Sequence, residues 1–237
     1  MMVLILGGTS EADQLAALLS EQKIKFTYSL AGVTPHPKPR DYPTRTGGFG
    51  GVDGLAQYLR NSETTVLIDA THPFASNMSA NAVQAATRAN VPMLRLERPA
   101  WDDNGWQNVA SLDAAADILP AGATVFLSVG SQSVAPFAHR RDVQFISRAI
   151  KPPPNPFGKI IVAKPPFDVA GETMLFKDHA ITHLVSKNAG GDQTSAKLTA
   201  AQILGIRVIM VERPILPVAE TVNTPTAALA WITQRPK

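Results

Sequence analysis

The chain has no cysteine. That one absence removes disulfides, thiolate nucleophiles and sulfur-ligated metals together, and it fits a reducing compartment. Aromatic residues are scarce, at 6%, and charged residues make up only 17%. The basic residues are scattered rather than interleaved with aromatics, so no nucleic-acid partner is expected. No apolar run nears the ~20 residues of a membrane span. The opening Met1-Met2-Val3-Leu4-Ile5-Leu6 is too short for a signal peptide and has no basic lead. There is no carboxylate pair, Ser/His/Asp arrangement or histidine cluster, so no metal site is expected. These absences predict a cytoplasmic protein with no membrane attachment; a monomer is the expected state, though the sequence leaves oligomerisation open.

What is present is a core-forming composition, 45% hydrophobic over 237 residues, enough for one large or two small α/β domains. Val3-Leu4-Ile5-Leu6 reads as a buried strand, and Gly7-Gly8 lets the chain turn sharply. Ser10 is a candidate helix cap, with Asp13 completing a capping box. The helix would bury Ala12, Leu15, Ala16, Leu18 and Leu19. A strand, a glycine turn and a helix N-terminus bring backbone N–H groups and a positive dipole end to one point, which suits a phosphate. The spacing is not G-x-G-x-x-G, so an ordinary βα unit explains the stretch equally well.

Phe26–Leu30 reads as a second strand. In dinucleotide folds an acidic residue near the end of this strand favours NAD, and an arginine favours the 2′-phosphate of NADP. No acid occurs from Thr27 to Lys38, while Lys38, Arg40 and Arg45 follow, which tilts the reading to NADP. Residues 33 to 46 hold Pro35, Pro37, Pro39 and Pro43 and read as an extended loop. It delivers Gly47-Gly48-Phe49-Gly50-Gly51, more glycine than a turn needs, which points to close approach of a ligand or a helix. Val66–Asp69 is a third strand, and Asp69, Thr71 and His72 fall at its carboxyl end, where open α/β sheets bind ligands. A helix over 76–90, strand Met93–Leu96 and Glu97-Arg98-Pro99 close this half.

The second half repeats the alternation. Strands are expected at Thr124–Val129, Val143–Arg148, Ile160–Ala163, Ile181–Ser186 and Arg207–Val211. Helices are expected at Leu112–Leu119, Ser133–Ala138, Val169–Asp178, Thr194–Leu204 and Thr224–Thr233. The fold class is therefore α/β: two Rossmann-like, doubly wound lobes with mainly parallel sheets and a cleft between them. The expected division is 1–98, a dinucleotide-binding domain, and 99–237, a domain completing the cofactor and substrate cleft. Ser186-Lys187-Asn188-Ala189-Gly190-Gly191 gathers a cation, an amide and paired glycines at one strand end, a candidate ligand site. Lys197 lies on the helix that follows and faces either that cleft or solvent. From Arg140 to Lys197 basic residues outnumber acids, which suits an anionic ligand.

Several stretches resemble the precorrin-6A reductase family of cobalamin biosynthesis, in the order that family shows them. They are Gly7-Gly8-Thr9-x-Glu11-Ala12, Gly47-Gly48-Phe49-Gly50-Gly51, Asp69-Ala70-Thr71-His72-Pro73-Phe74-Ala75 and Leu94-Arg95-x-x-Arg98-Pro99. The likeness continues through Leu184–Gly191 and Val211-Glu212-Arg213-Pro214. It implies hydride transfer from NADPH to a carbon–carbon double bond of a tetrapyrrole, giving precorrin-6B. The cofactor would then meet Gly7, Gly8, Thr9, Ser10, Glu11, Arg40, Arg45, Gly47, Gly48, Phe49, Gly50, Asp69, Thr71, His72, Pro73 and Phe74. The macrocycle would meet Gly130, Ser131, Ser186, Lys187, Asn188, Gly190, Gly191 and Lys197. No residue is an obvious proton donor, and water, Lys187 and His72 are the candidates. The chain departs from the family pattern at Val33, usually Arg, at Ser131, usually Arg or Lys, and at Ala189, usually Ser. Arg40 or Arg45 would stand in for the missing arginine at 33. Alternatives are a cobalt-precorrin-6A reductase, another NAD(P)-dependent oxidoreductase, and a nucleotide-sensing module without chemistry. The Tyr-x-x-x-Lys pair of short-chain reductases is absent, since Gly32, Thr46 and Ser62 follow Tyr28, Tyr42 and Tyr58 at that spacing.

Overall fold

A computed structural model describes residues 1–32, 40–130, 133–149, 156–163 and 166–235. The first stretch of chain gives β1 (Met2–Leu6), α1 (Ser10–Glu21), β2 (Lys25–Leu30), β3 (Thr44–Thr46), α2 (Gly51–Asn61), β4 (Val66–Asp69), α3 (Ser76–Ala89) and β5 (Met93–Leu96). Next come β6 (Gln107–Val109), α4 (Leu112–Asp117), β7 (Thr124–Ser128), β8 (Gln144–Ala149), β9 (Lys159–Val162), α5 (Val169–Asp178), β10 (His183–Lys187), α6 (Ala196–Leu204) and β11 (Arg207–Val211). The chain ends with β12 (Thr221–Val222) and α7 (Pro225–Thr233). The predicted helix over 133–138 is a single 3-10 turn at Ala135–Phe137, and Thr44–Thr46 pairs as a strand at the end of the proline-rich loop.

Two compact units result. One comprises Met1–Pro99 with Pro214–Lys237, the other Ala100–Arg213. The sequence division at 98/99 therefore needs correction at the C-terminus, where residues 214–237 return to the first unit. The physical reason is twofold. Strand β12 pairs with β5, Thr221 opposite Arg95 and Val222 opposite Leu96. Helix α7 buries Ala228, Trp231 and Ile232 in the same cluster as Val3, Ile5, Leu15 and Leu19. Each large side chain so buried contributes about 1.5–3 kcal/mol.

The first sheet runs β12-β5-β4-β1-β2-β3 and the second β6-β11-β10-β7-β8-β9. Every recorded strand pairing in both is parallel. Read from the β3 edge, the first sheet has the 3-2-1-4-5-6 order of dinucleotide-binding folds, with β12 as the sixth strand. The second sheet has the same order from the β9 edge, but its sixth strand, β6, precedes the others in sequence. Each sheet is thus completed by the strand that follows the other unit's fifth strand. At both crossings the chain carries the same tripeptide, Glu97-Arg98-Pro99 and Glu212-Arg213-Pro214.

The run Val3–Leu6 is apolar throughout because both faces of β1 are covered. Val3 and Ile5 face α1 and α7, while Leu4 and Leu6 pack with Leu55 and Leu59 of α2 and Ala82 and Ala85 of α3. The order reversal lies between β1 and β4 in one sheet and between β7 and β10 in the other. Those two switch points fix where ligand-binding loops can be built.

Candidate active site

At the tip of β1 the backbone is held by Tyr28 on β2. A Cβ on Gly7 would lie 2.2 Å from the Tyr28 ring, so no larger residue fits. The Gly8 N–H donates to the Tyr28 hydroxyl at 3.0 Å. Burial pushes the pKa of that phenol well above its ordinary value. Gly8 itself has φ +113°, and open space surrounds the position a Cβ would take. Thr9, rather than the expected Ser10, caps α1. Its extended backbone lets the hydroxyl accept from the Ala12 N–H at 3.2 Å while donating to the Ala70 carbonyl at 2.8 Å. Ser10 donates to Glu11 at 3.1 Å, and Glu11 pairs with Arg98 at 2.9 Å.

The two candidate arginines stand in different surroundings. The Arg40 guanidinium lies over the Tyr28 ring, 4.8 Å from its centroid, and bonds Asp13 on α1 and the Tyr42 hydroxyl, each at 3.1 Å. Arg45 reaches Ser29 at 2.7 Å, the Gly47 carbonyl at 2.9 Å and the Gly48 carbonyl at 3.0 Å. It also stacks 3.8 Å from the centroid of Phe49. Arg45 therefore shapes the glycine loop. Gly47, Gly48 and Gly50 have nothing within 4 Å of a built Cβ, so no neighbouring helix explains them. Helix α2 starts after Gly50 without a side-chain cap. Gly54, which sequence reasoning passed over, packs its α-carbon against the Phe49 carbonyl, where a Cβ would sit 1.7 Å away.

At the tip of β4, Asp69 is only 1% exposed. One carboxylate oxygen accepts from the Thr71 N–H at 3.2 Å and hydroxyl at 2.7 Å, and the other lies 3.6 Å from Arg95 of β5. Arg95 in turn donates to the Pro217 carbonyl at 3.1 Å. His72 is exposed, and its Nδ1 accepts from the Phe74 N–H at 3.2 Å, with Pro73 buried between them.

In the second unit, Ser128 ends β7 and Gly130 (φ +85°) follows it, and Ser131 lies outside the described residues, as do Val33 and Lys38. Lys187 ends β10 and donates to the Ser133 hydroxyl at 2.7 Å, and burial pushes its ammonium pKa down. Ser186 is wholly buried, its hydroxyl on the Lys187 carbonyl at 3.3 Å, and so belongs to the packing under the tip. Asn188 is fixed by Trp101, accepting its N–H at 2.9 Å and donating to its carbonyl at 3.3 Å. Arg213 donates to the carbonyls of Asn188 and Ala189 at 2.9 and 3.2 Å, and the Trp101 indole donates to the Gly191 carbonyl at 3.0 Å. Gly190 and Gly191 both take positive φ, 69° and 78°, as the tight loop requires.

Lys197 does not face open solvent. It is 5% exposed, donates to the Thr194 carbonyl at 2.5 Å and lies 4.6 Å from the Trp101 ring centroid. It lines a cavity of about 190 Å³ with Gly130, Ser128, Arg148 and Glu172. Arg148 pairs with the buried Glu172 at 2.6 Å and stacks on Phe167 at 3.7 Å. The sequence pattern does not single out Arg148 and Glu172, which line this cavity, or Trp101, which packs on Lys197. Only the placement of Arg148 at the end of an apolar strand hints at that residue.

Two parallel sheets in the 3-2-1-4-5-6 order, each with a glycine-bearing loop at its switch point, define a two-unit Rossmann-like protein of the α/β class. Comparison with known proteins carries this further. The chain belongs to the family described as precorrin-6x reductase CbiJ/CobK, whose profile matches residues 2–233. It is 44% identical to the precorrin-6A reductase of Rhodococcus erythropolis, over 97% of this chain and 96% of that one. To the precorrin-6A reductase of Rhodobacter capsulatus it is 41% identical, over 97% and 95%. A cobalt-precorrin-6A reductase of Priestia megaterium is 26% identical, over 90% and 91%. Among solved structures, a CobK precorrin-6A reductase superposes with a TM-score of 0.94 at 40% identity, covering 99% of this chain and 96% of that one. No described helix is long and apolar enough to cross a membrane, and no described group of His, Asp or Glu is arranged to hold a metal ion.

Proposed function

We propose that this protein is a precorrin-6A reductase using NADPH and yielding precorrin-6B. The observation that carries the reading is end-to-end identity of 44% and 41% to precorrin-6A reductases, against 26% to a cobalt-precorrin-6A reductase. That contrast favours the metal-free macrocycle as substrate.

The residues at the first unit's tips suit a dinucleotide. Gly8, Gly47, Gly48 and Gly50 expose backbone to open space, and the start of α2 has no side-chain cap, which suits a phosphate at its N–H groups. Residues Gly7–Glu11 and Gly47–Gly50 would hold the phosphates and ribose. Arg40 would carry the 2′-phosphate, Arg45 keeping the loop in shape. Asp69, anchored by Arg95, would hold Thr71–Phe74 beside the nicotinamide. Bound NADPH would supply a hydride to one carbon of a double bond in the macrocycle. In the second unit, Gly130, Ser131, Lys187, Asn188, Gly190, Gly191 and Lys197 would meet the macrocycle, with Ser186 supporting Lys187 from beneath. Cations at these tips suit its carboxylates. The protein would work as a cytoplasmic monomer, without nucleic acid, and size-exclusion chromatography checks the monomer.

The test is anaerobic incubation with precorrin-6A and NADPH, following the macrocycle spectrum and nicotinamide absorbance together. One NADPH oxidised per macrocycle reduced is expected, with NADH a poorer donor and the cobalt-containing macrocycle a poorer substrate. An unchanged macrocycle spectrum would remove the assignment.

A further inference from the structure

Reduction of a carbon–carbon double bond needs a proton as well as a hydride, and the reductase reading leaves its source open. We propose, resting on that reading, that Lys187 is the catalytic acid, delivering its proton from Nζ to the macrocycle carbon adjacent to the one that accepts hydride. Lys187 ends β10, next to β7 at the order reversal of the second sheet, the position where such sheets present reacting groups. Its ammonium is aimed by a 2.7 Å bond to Ser133, three residues past the Gly130 turn. Desolvation pushes its pKa down from the ordinary lysine value, toward the range where an acid works efficiently.

Other groups at the tips are poorer sources. Arg148 and Arg213 carry guanidinium groups that do not release protons in proteins. The Lys197 ammonium is buried and directed at the Thr194 carbonyl. His72 is exposed, and its Nδ1 is engaged by the Phe74 N–H of its own loop. In the step itself the Nζ–H bond breaks and a C–H bond forms, using the electron pair released from the double bond as hydride arrives at its other carbon. Lys187 becomes a neutral amine and regains a proton from water. The macrocycle gains two electrons and the nicotinamide loses two.

The experiment compares Lys187→Met, Lys187→Arg and Lys187→Ala, each checked by thermal melt, with the wild type. Precorrin-6A affinity is measured separately, by absorbance titration in the presence of NADP⁺. Loss of an acid lowers kcat by about 10²- to 10⁴-fold, and the Met variant is expected in that range with precorrin-6A affinity altered less than about tenfold. The Arg variant keeps the charge but cannot donate, so it is expected to stay slow. Added methylammonium is expected to restore part of the activity of Lys187→Ala, which a misfolded protein would not allow. An Arg variant with near-normal kcat, or a Met variant whose whole defect lies in KM, would overturn the assignment and leave the reductase reading intact. A wild type that oxidises no NADPH with precorrin-6A would remove both.

Discussion

The hydroxyl of Thr9 joins two strand tips that are far apart in sequence: it caps α1 through the Ala12 N–H and donates to the carbonyl of Ala70, 2.8 Å away beyond β4. A residue lacking that hydroxyl loses the helix cap, about 1 kcal/mol, and a tertiary hydrogen bond of about the same size. Thr9→Val is expected to lower stability by about 2 kcal/mol, read as a shifted urea midpoint. Thr9→Ser keeps both bonds and should stay within about 0.5 kcal/mol of wild type.

The glycines divide by what surrounds them. Gly7→Ala drives a methyl into the buried Tyr28 ring, and overpacking of this kind costs about 1–3 kcal/mol. Gly48→Ala meets nothing within 4 Å and has no positive φ to strain. Its melting temperature should therefore match wild type. If the loop backbone approaches the cofactor, the KM for NADPH should still rise, by about tenfold or more. A Gly48→Ala enzyme with unchanged KM would place the dinucleotide away from this loop.

Much of this was legible from residue order alone, and the gaps have a physical pattern. Long apolar runs such as Val3–Leu6 and Val66–Asp69 declare themselves because both faces are buried. Strands β3, β6 and β12 do not, since Thr44–Thr46, Gln107–Val109 and Thr221–Val222 are short and contain no fully buried residue. Their pairing is a matter of backbone register, which leaves no side-chain signature. Without β12 the return of α7 to the first unit was also hidden. Thr9 and Ser10 are both good caps, and the choice falls to Thr9, whose hydroxyl also reaches Ala70, 61 residues on. The anchoring of Asn188 by Trp101 spans 87 residues, beyond the reach of any local motif.

Arg140 holds Asp142 by bonds of 2.9 and 2.8 Å while also donating to the Leu119 carbonyl. The bonds to Arg140 lower the carboxyl pKa to about 2. A carboxyl whose folded pKa is depressed contributes stability that is fully present above its unfolded value, roughly 3.9. The contribution is lost as pH falls through the folded value. Asp142→Asn should therefore melt below wild type at pH 6. The gap should narrow steadily once the pH drops under about 4, and a constant gap from pH 6 to pH 3 would contradict this.

Asp69 and Arg95 are both buried, and each has polar atoms with no hydrogen-bond partner. Removing one charge strands the other, a loss of about 3–5 kcal/mol for a buried pair. Arg95→Met is expected to fall in that range by urea unfolding. The double variant Asp69→Asn with Arg95→Met should be more stable than Arg95→Met alone by at least about 1 kcal/mol. Strict additivity of the two single losses would mean the charges do not interact.

Arg40 and Arg45 allow a sharper test of cofactor choice, because their partners differ. Arg40 lies over Tyr28 and bonds Asp13 and Tyr42, next to the Gly7–Gly8 turn, whereas Arg45 bonds two loop carbonyls and stacks on Phe49. If Arg40 meets the 2′-phosphate, Arg40→Met removes a charge-assisted contact that only NADPH makes, worth about 1.5–3 kcal/mol. The KM for NADPH should rise about 10- to 100-fold while that for NADH stays within about twofold. Arg45→Met instead loosens a loop that either cofactor would use, so both KM values should rise together. The ratio of the two KM values therefore separates recognition from loop support. A variant at Arg45, and not at Arg40, that selectively loses NADPH would exchange the two roles.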